Sequence, residues 1–221
     1  MPISKFSKLL ITISVGSVLY GWVQQQQPGH RSGAFIAFLD VGQGDAIYIR
    51  TTTGADVLID GGPGRTVLER LPEVMAPGDT TIELVILSHP DADHSSGVVE
   101  VAKCYAIKQI ATTALPPTKP LHQELWNLIA SKHITHLLMY SGDHIALDDH
   151  EYFDILYPDP ADPLVTLETN DTSMMVEYHY QYPDGHEKIT LLTGDAGKVE
   201  EEALINRGLL HDIDICLESA L

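Results

Sequence analysis

An α/β fold, with helices packed on sheets inside one domain, is what three features of this sequence predict. From residue 34 onward, apolar runs of strand length alternate with segments of helical spacing. One of them, Ile82–Leu87, is almost continuously apolar, the mark of a strand covered on both faces. Turns rich in Gly and Pro separate the elements. The composition agrees: 44% of the 221 residues are hydrophobic and 20% charged, enough to bury a core and unlike a disordered or low-complexity chain.

Residues 1–30 are a different kind of polymer. Lys5 and Lys8 precede a mostly apolar, uncharged run, Leu9–Val23, which ends in Gln24–Gln27 and Pro28-Gly29. A positive flank, a short apolar stretch and a polar exit read as an export signal, or as an uncleaved N-terminal membrane anchor followed by a linker. The run is shorter than the roughly 20 apolar residues of a comfortable span, and no A-x-A site follows it. The expectation is an exported protein, periplasmic or extracellular, held at the membrane if the segment is not cut.

The domain proper is expected over residues 31–221. Strands are predicted at Ala34–Leu39 and Ala46–Arg50, joined by the turn Asp40–Asp45 with its two glycines, and at Val57–Asp60, which runs into Gly61-Gly62-Pro63-Gly64. Thr66–Val74 has helical spacing, with Val67, Leu68 and Leu71 on one side. After the strand Ile82–Leu87 come a helix at Ser95–Cys104, a strand at Ile107–Ala111 and a helix at Pro120–Lys132 that starts with proline. Strands follow at His136–Tyr140, Tyr152–Leu156, Met174–Tyr180 and Ile189–Thr193. A helix at Lys198–Asn206 stops at Gly208, and Ile213–Leu217 begins one more strand. The two cysteines, Cys104 and Cys216, exclude a disulfide-rich scaffold and a CxxC zinc knuckle. They read as small buried hydrophobes, a single bridge being the other reading.

Thirteen Lys and Arg against 31 Asp and Glu give a net charge of −18, or −20 once residues 1–30 are set aside. A protein that grips the nucleic-acid backbone over a long footprint needs a basic face, which this balance argues against. It does not exclude chemistry on phosphodiesters, because bound cations reverse a local field.

The strongest chemical signal is Ser88-His89-Pro90-Asp91-Ala92-Asp93-His94, placed where a buried strand ends and a helix begins. Two imidazoles and two carboxylates in so tight a turn cannot all face outward. Crowded carboxylates repel unless a cation neutralises them, so a divalent metal is the natural occupant. A solvated acidic loop is the bland alternative. Leu191-Leu192-Thr193-Gly194-Asp195 is a second apolar strand ending in a carboxylate, weak evidence alone.

Taken together, Phe38–Ala46, Leu58–Gly64, Ser88–Gly97, Asn170–Ser173 and Leu191–Leu204 resemble, in order, the motifs of the metallo-β-lactamase superfamily. The nearest likeness is to the C-terminal hydrolase domain of ComEC-type DNA-uptake competence proteins. The resemblance implies a four-layer αββα sandwich and a site for two divalent ions, Zn²⁺ or Mn²⁺. It implies that His89 and Asp91 hold the first ion, Asp93 and His94 the second, and that Asp195 bridges them. Asp91 stands where most of the superfamily has histidine, which hardens the donor set. Asn170 falls where many relatives place another ligand histidine. It and Ser173 are read as groups facing substrate or supporting the ligands. Asp45 and Asp60, at strand ends, are candidates to hydrogen-bond the ligand histidines from behind, with ordinary turn carboxylates the alternative.

Such a site implies an exported metal-dependent hydrolase of phosphodiester bonds, in small molecules or in nucleic acid, with Asp93 orienting the attacking water. Relatives continue past the last strand into a His-His-Gly-Ser segment, where this sequence reads Asp214–Leu221. The expectation is therefore a domain incomplete at its C-terminus, with its second ion weakly held. The alternative is a family member that binds metal or a partner without turnover. The glycine turns lack the Gly-Lys-Ser/Thr ending of a P-loop, so no nucleotide cofactor is expected. His122, His133, His136, His144 and His150 are read as surface or core residues.

Overall fold

Eleven strands sort into two sheets among the described residues of the computed structural model, 33–113, 118–159, 161, 172–210 and 213–217. The first sheet has the order β1 (Phe35–Phe38), β2 (Ile47–Arg50), β3 (Asp56–Ile59), β4 (Thr81–Leu87), β5 (Ala106–Thr112), β6 (Thr135–Leu138). Its first three strands are antiparallel hairpins; β3 through β6 run parallel. Parallel neighbours need crossovers. They are supplied by α1 (Thr66–Val74), α2 (Ala92–Cys104) and α3 (Pro120–Lys132). The second sheet places β7 (His144–Ala146), β8 (Glu151–Tyr157), β9 (Met175–Gln181) and β10 (Glu187–Leu192) antiparallel. α4 (Lys198–Arg207) then leads to β11 (Ile215–Leu217), parallel to β10 at the sheet edge.

The side-chain period of two assigns every strand residue to a face. On β4, Val85 and Leu87 join the core under the three crossover helices, with Val67 and Leu71 of α1, Val98 of α2 and Leu125 of α3. Leu84 and Ile86 point the other way and meet Phe153, Ile155 and Val176 of the second sheet. A third cluster seats Leu204 of α4 on Met175 and Leu191, on the outer face of the second sheet. The layers are thus helix, sheet, sheet, helix. The continuous apolar run of β4 has its reason here: both of its faces are covered.

The sheets are also tied by a polar staple. Glu151 of β8, fully buried, accepts hydrogen bonds from the Thr52 amide at 2.7 Å, the Thr52 hydroxyl at 2.6 Å and the Tyr178 hydroxyl. Thr52 sits in the β2–β3 turn of the first sheet, so one carboxylate fixes how the two sheets stack.

Three expectations are corrected. Helix α2 starts at Ala92 rather than Ser95, which places Asp93 and His94 in its first turn. Strand β7 has no signal in the sequence, because three residues with one buried side chain, Ile145, are too short to show a period. Cys104 and Cys216 form no disulfide and are exposed: one closes α2, the other lies on the edge strand β11. Residues 1–30, Asn170 and residues 218–221 lie outside the described residues.

Candidate metal centre

The centre forms where the ends of β3, β4 and β10 meet the start of α2. β3 runs directly into Asp60, whose backbone is left-handed at φ 56°. Asp tolerates this region better than most residues, and the strain recurs at functional sites. The turn aims its carboxylate at the neighbouring strand end: Oδ1 accepts from the Ser88 amide at 2.8 Å and Oδ2 from the Ser88 hydroxyl at 2.5 Å. Oδ2 also meets His94 Nδ1 at 2.9 Å.

From Asp60 the network runs on to both histidines. Ser88 has given its hydroxyl hydrogen to Asp60, so its oxygen accepts from His89 Nδ1 at 3.0 Å. The network therefore assigns the ring proton of His89 to Nδ1, leaving its Nε2 a lone pair, and places His94 Nδ1–H on Asp60, so that His94 Nε2 is the nitrogen a cation would engage. Both rings are buried, their centroids 4.1 Å apart. Neither Nε2 makes a hydrogen bond. Both face Asp195, His94 Nε2 at 3.3 Å and His89 Nε2 at 3.8 Å from its carboxylate oxygens.

Close backbone approach makes this possible. The chain leaving Asp60 crosses α2 where Gly61 faces Gly97: a Cβ on Gly97 would overlap the Gly61 carbonyl, with the Gly61 Cα only 2.9 Å away. Two backbone bonds lock the crossing, Gly61 N–H to the His94 carbonyl and Gly97 N–H to the Gly62 carbonyl, each 2.9 Å. Gly194, at φ 53°, brings the end of β10 against Ser88, where a Cβ would stand 3.0 Å from that of Ser88. Helix α3 holds the loop from outside, the Nε2–H of buried His122 donating to the Pro90 carbonyl at 2.7 Å.

The electrostatics of the two imidazoles diverge. Burial lowers the His89 pKa, and the neighbouring His94 lowers it further. Burial also opposes a charge on His94, but the contacts with Asp195 and Asp60 outweigh it and raise the pKa to about 10. One proton thus sits between two carboxylates in the metal-free chain, where a cation of higher charge would replace it.

The residues present fit a divalent metal. Two buried imidazole nitrogens without hydrogen bonds, beside a carboxylate and fixed from behind by Asp60, form an N/O donor set of the right kind. Ligand atoms of Asp60, His89 and His94 lie within 4.8 Å of one another, and so do those of Asp45, His94 and Asp195. Asp45 therefore lies among the donor atoms as well as at a strand end. Asp91 and Asp93 are in neither grouping. Asp91 stands at the N-cap position of α2 without a side-chain capping bond, its carboxylate 3.5 Å from Lys119 Nζ, and Asp93 is half-buried in the first turn. Ser173 is fully buried beside Gly194, its hydroxyl without a hydrogen-bond partner. Sequence reasoning missed Ser88 and His122. Ser88 was signalled only by standing next to His89, and His122 by nothing local.

Solved structures align with the chain at low identity. A diiron β-hydroxylase, CmlA from Streptomyces venezuelae, superposes with TM-score 0.55 at 9% identity over 84% of this chain and 34% of that one, so the chain spans about a third of that enzyme. The metallo-β-lactamase MIM-1 from Novosphingobium pentaromativorans aligns over 80% of this chain and 70% of its own at 18% identity and TM-score 0.48. Igni18, a metallo hydrolase from Ignicoccus hospitalis, aligns over 82% and 70% at 16% identity and TM-score 0.48. No curated protein matches the sequence. The family model of the metallo-β-lactamase superfamily matches residues 39–220, nearly the whole domain. On that match and on its two-sheet sandwich, the chain belongs to the metallo-β-lactamase superfamily.

Proposed function

We propose that this protein is an exported metal-dependent hydrolase of phosphodiester bonds. The observation that carries the reading is the convergence of two buried, hydrogen-bond-free imidazole nitrogens on Asp195. His89, His94 and Asp195, with Asp45 beside them, would hold the first divalent ion, Mn²⁺ or Zn²⁺; Asp91 and Asp93 would contribute to a second, weaker position. A bound divalent ion lowers the pKa of water toward neutrality and stabilises charge developing on a phosphoryl oxygen. Asp60 and Ser88 keep the ring protons on Nδ1, so both Nε2 lone pairs stay directed inward. Asp93 orients the attacking water and accepts its proton on a carboxylate oxygen. Ser173 and, on its motif alone, Asn170 would serve the substrate or support the ligands. The ComEC-type character of the motifs supports a phosphodiester over a β-lactam, and the charge of −18 favours small diesters or short ends over long duplex. Export rests on residues 1–30, which would also anchor the protein if uncut.

A second reading follows from Asp91, whose carboxylate stands 3.5 Å from Lys119 Nζ and belongs to neither donor grouping. With Asp91 so engaged, the chain would hold one ion and turn nothing over. Metal content after gentle purification, with hydrolysis of bis(p-nitrophenyl) phosphate, separates the two. The hydrolase binds at least one equivalent tightly, hydrolyses the diester, and loses activity at least 100-fold in Asp93→Ala. Tight binding without hydrolysis supports the second reading; no binding overturns both.

A further inference from the structure

We infer that the substrate carries a hydrocarbon substituent, and that this group lies between the two sheets. The inference rests on the hydrolase reading and specifies its substrate. A pocket of about 240 Å³ opens beside the metal centre. Its polar lining comes from Asp45, Asp60, Ser88 and Thr193. These residues stand at one end of their strands: Asp60, Ser88 and Thr193 follow β3, β4 and β10, and Asp45 precedes β2, which is antiparallel to β3. The polar end of the pocket is therefore the metal end. The rest of the wall is aliphatic, with Ile47, Ile59 and Ile86 from one sheet facing Val176 and Leu192 from the other.

Phe38, 58% exposed, lines the pocket and also lines a wider groove of about 710 Å³ along the open side of the sandwich. Ile36, Tyr180, Tyr182 and Ile215 continue the apolar surface there. The groove's volume falls within the range of ligand sites and the pocket's lies just below it, and the mix of aliphatic depth with tyrosines at the mouth suits a chain that is apolar along its length.

The walls discriminate between substrate classes. A nucleobase placed among Ile47, Ile59, Ile86, Val176 and Leu192 would bury its donor and acceptor edges where nothing pairs with them, which costs binding. An alkyl or aryl group loses nothing there and is removed from water. The phosphoryl group would sit at the carboxylate and imidazole end with the hydrocarbon running toward Phe38. The chemistry indicated is an alkyl phosphodiester, not a polynucleotide.

The test uses the full chain loaded with Mn²⁺ and n-alkyl(methyl)phosphinates from ethyl to octyl, whose substituents are both held by P–C bonds, kept below their micellar concentrations. These anions are not hydrolysed, so calorimetry reads affinity whether or not the enzyme is active. Affinity should rise about three- to fourfold per methylene over the first several carbons. Phe38→Glu, at an exposed position where folding is not at stake, should narrow the octyl-to-ethyl affinity ratio at least tenfold. A flat series, or a ratio unmoved by Phe38→Glu, overturns the inference. Turnover of p-nitrophenyl alkyl phosphates is scored separately. Chain-length-dependent binding without turnover upholds the pocket and refutes the hydrolase; turnover with a flat series does the reverse.

Discussion

Replacing Gly97 by Ala tests whether the metal centre depends on the crossing of two backbones. In a helix open to solvent, Gly→Ala stabilises by about 1 kcal/mol. Here the new Cβ would overlap the Gly61 carbonyl and lie 2.9 Å from the Gly61 Cα, against the ~3.5–4.0 Å of relaxed carbon contacts. Backbone atoms cannot rotate aside, so the β3 turn and α2 must separate by about an ångström or more. That strains or breaks the two 2.9 Å backbone bonds across the crossing, and a buried group left unpaired costs about 1–3 kcal/mol. With overpacking added and the helix gain subtracted, the expected destabilisation is about 3–5 kcal/mol, a large share of an ordinary domain's stability. Urea unfolding measures it as a lower midpoint at constant m. Asp60 is adjacent to Gly61, so support of His94 also loosens, and Mn²⁺ or Zn²⁺ affinity should fall at least tenfold in the fraction still folded. Gly78→Ala is the control, for its Cβ meets nothing within 4 Å; at φ 81° it reports backbone strain without the clash. A Gly97→Ala protein within 0.5 kcal/mol of the parent, binding metal as tightly, would refute the reasoning.

Asp60→Asn removes the charge that fixes both ring protons while keeping the shape. Metal affinity should drop about 10–100-fold, and nitrogen-15 NMR of the histidines should show the Nδ1–H tautomer losing its dominance; unchanged spectra would sink the relay. Metal binding near pH 7.5 should release about one proton, from His94, read by calorimetry in buffers of different ionisation enthalpy. By the same logic the metal-free chain draws stability from protonated His94, because its folded pKa is raised. That contribution is full below the ordinary histidine pKa of about 6.5 and lost as pH climbs toward about 10, which alkaline denaturation of the chelated protein should show. Glu151→Ala strips the acceptor from the Thr52 amide and two hydroxyls, and should cost about 2–4 kcal/mol by urea unfolding without changing metal affinity of the folded protein; a loss below 0.5 kcal/mol would show the staple is not structural.

Local pattern carried most of the architecture. The two-face burial of β4, the limits of α1 at Thr66–Val74 and α3 at Pro120–Lys132, and the stop of α4 at Gly208, which takes the left-handed cap conformation, all follow from periodicity and capping within a few residues. The cluster Ser88–His94 announced a metal by composition alone, and five ordered motifs announced the superfamily. What periodicity cannot encode is convergence between residues far apart in the chain. Asp60 and His94, 34 positions apart, meet because β3 and β4 are parallel in one particular register and α2 returns over Gly61. The same registry, not the spacing in the sequence, brought Asp91 within 3.5 Å of Lys119, put Asp45 among the donor atoms, and gave Ser88 and His122 their positions. The cysteines went the other way for the same reason. Their burial depended on a helix end and a sheet edge, and only packing of the whole chain decided that both face solvent.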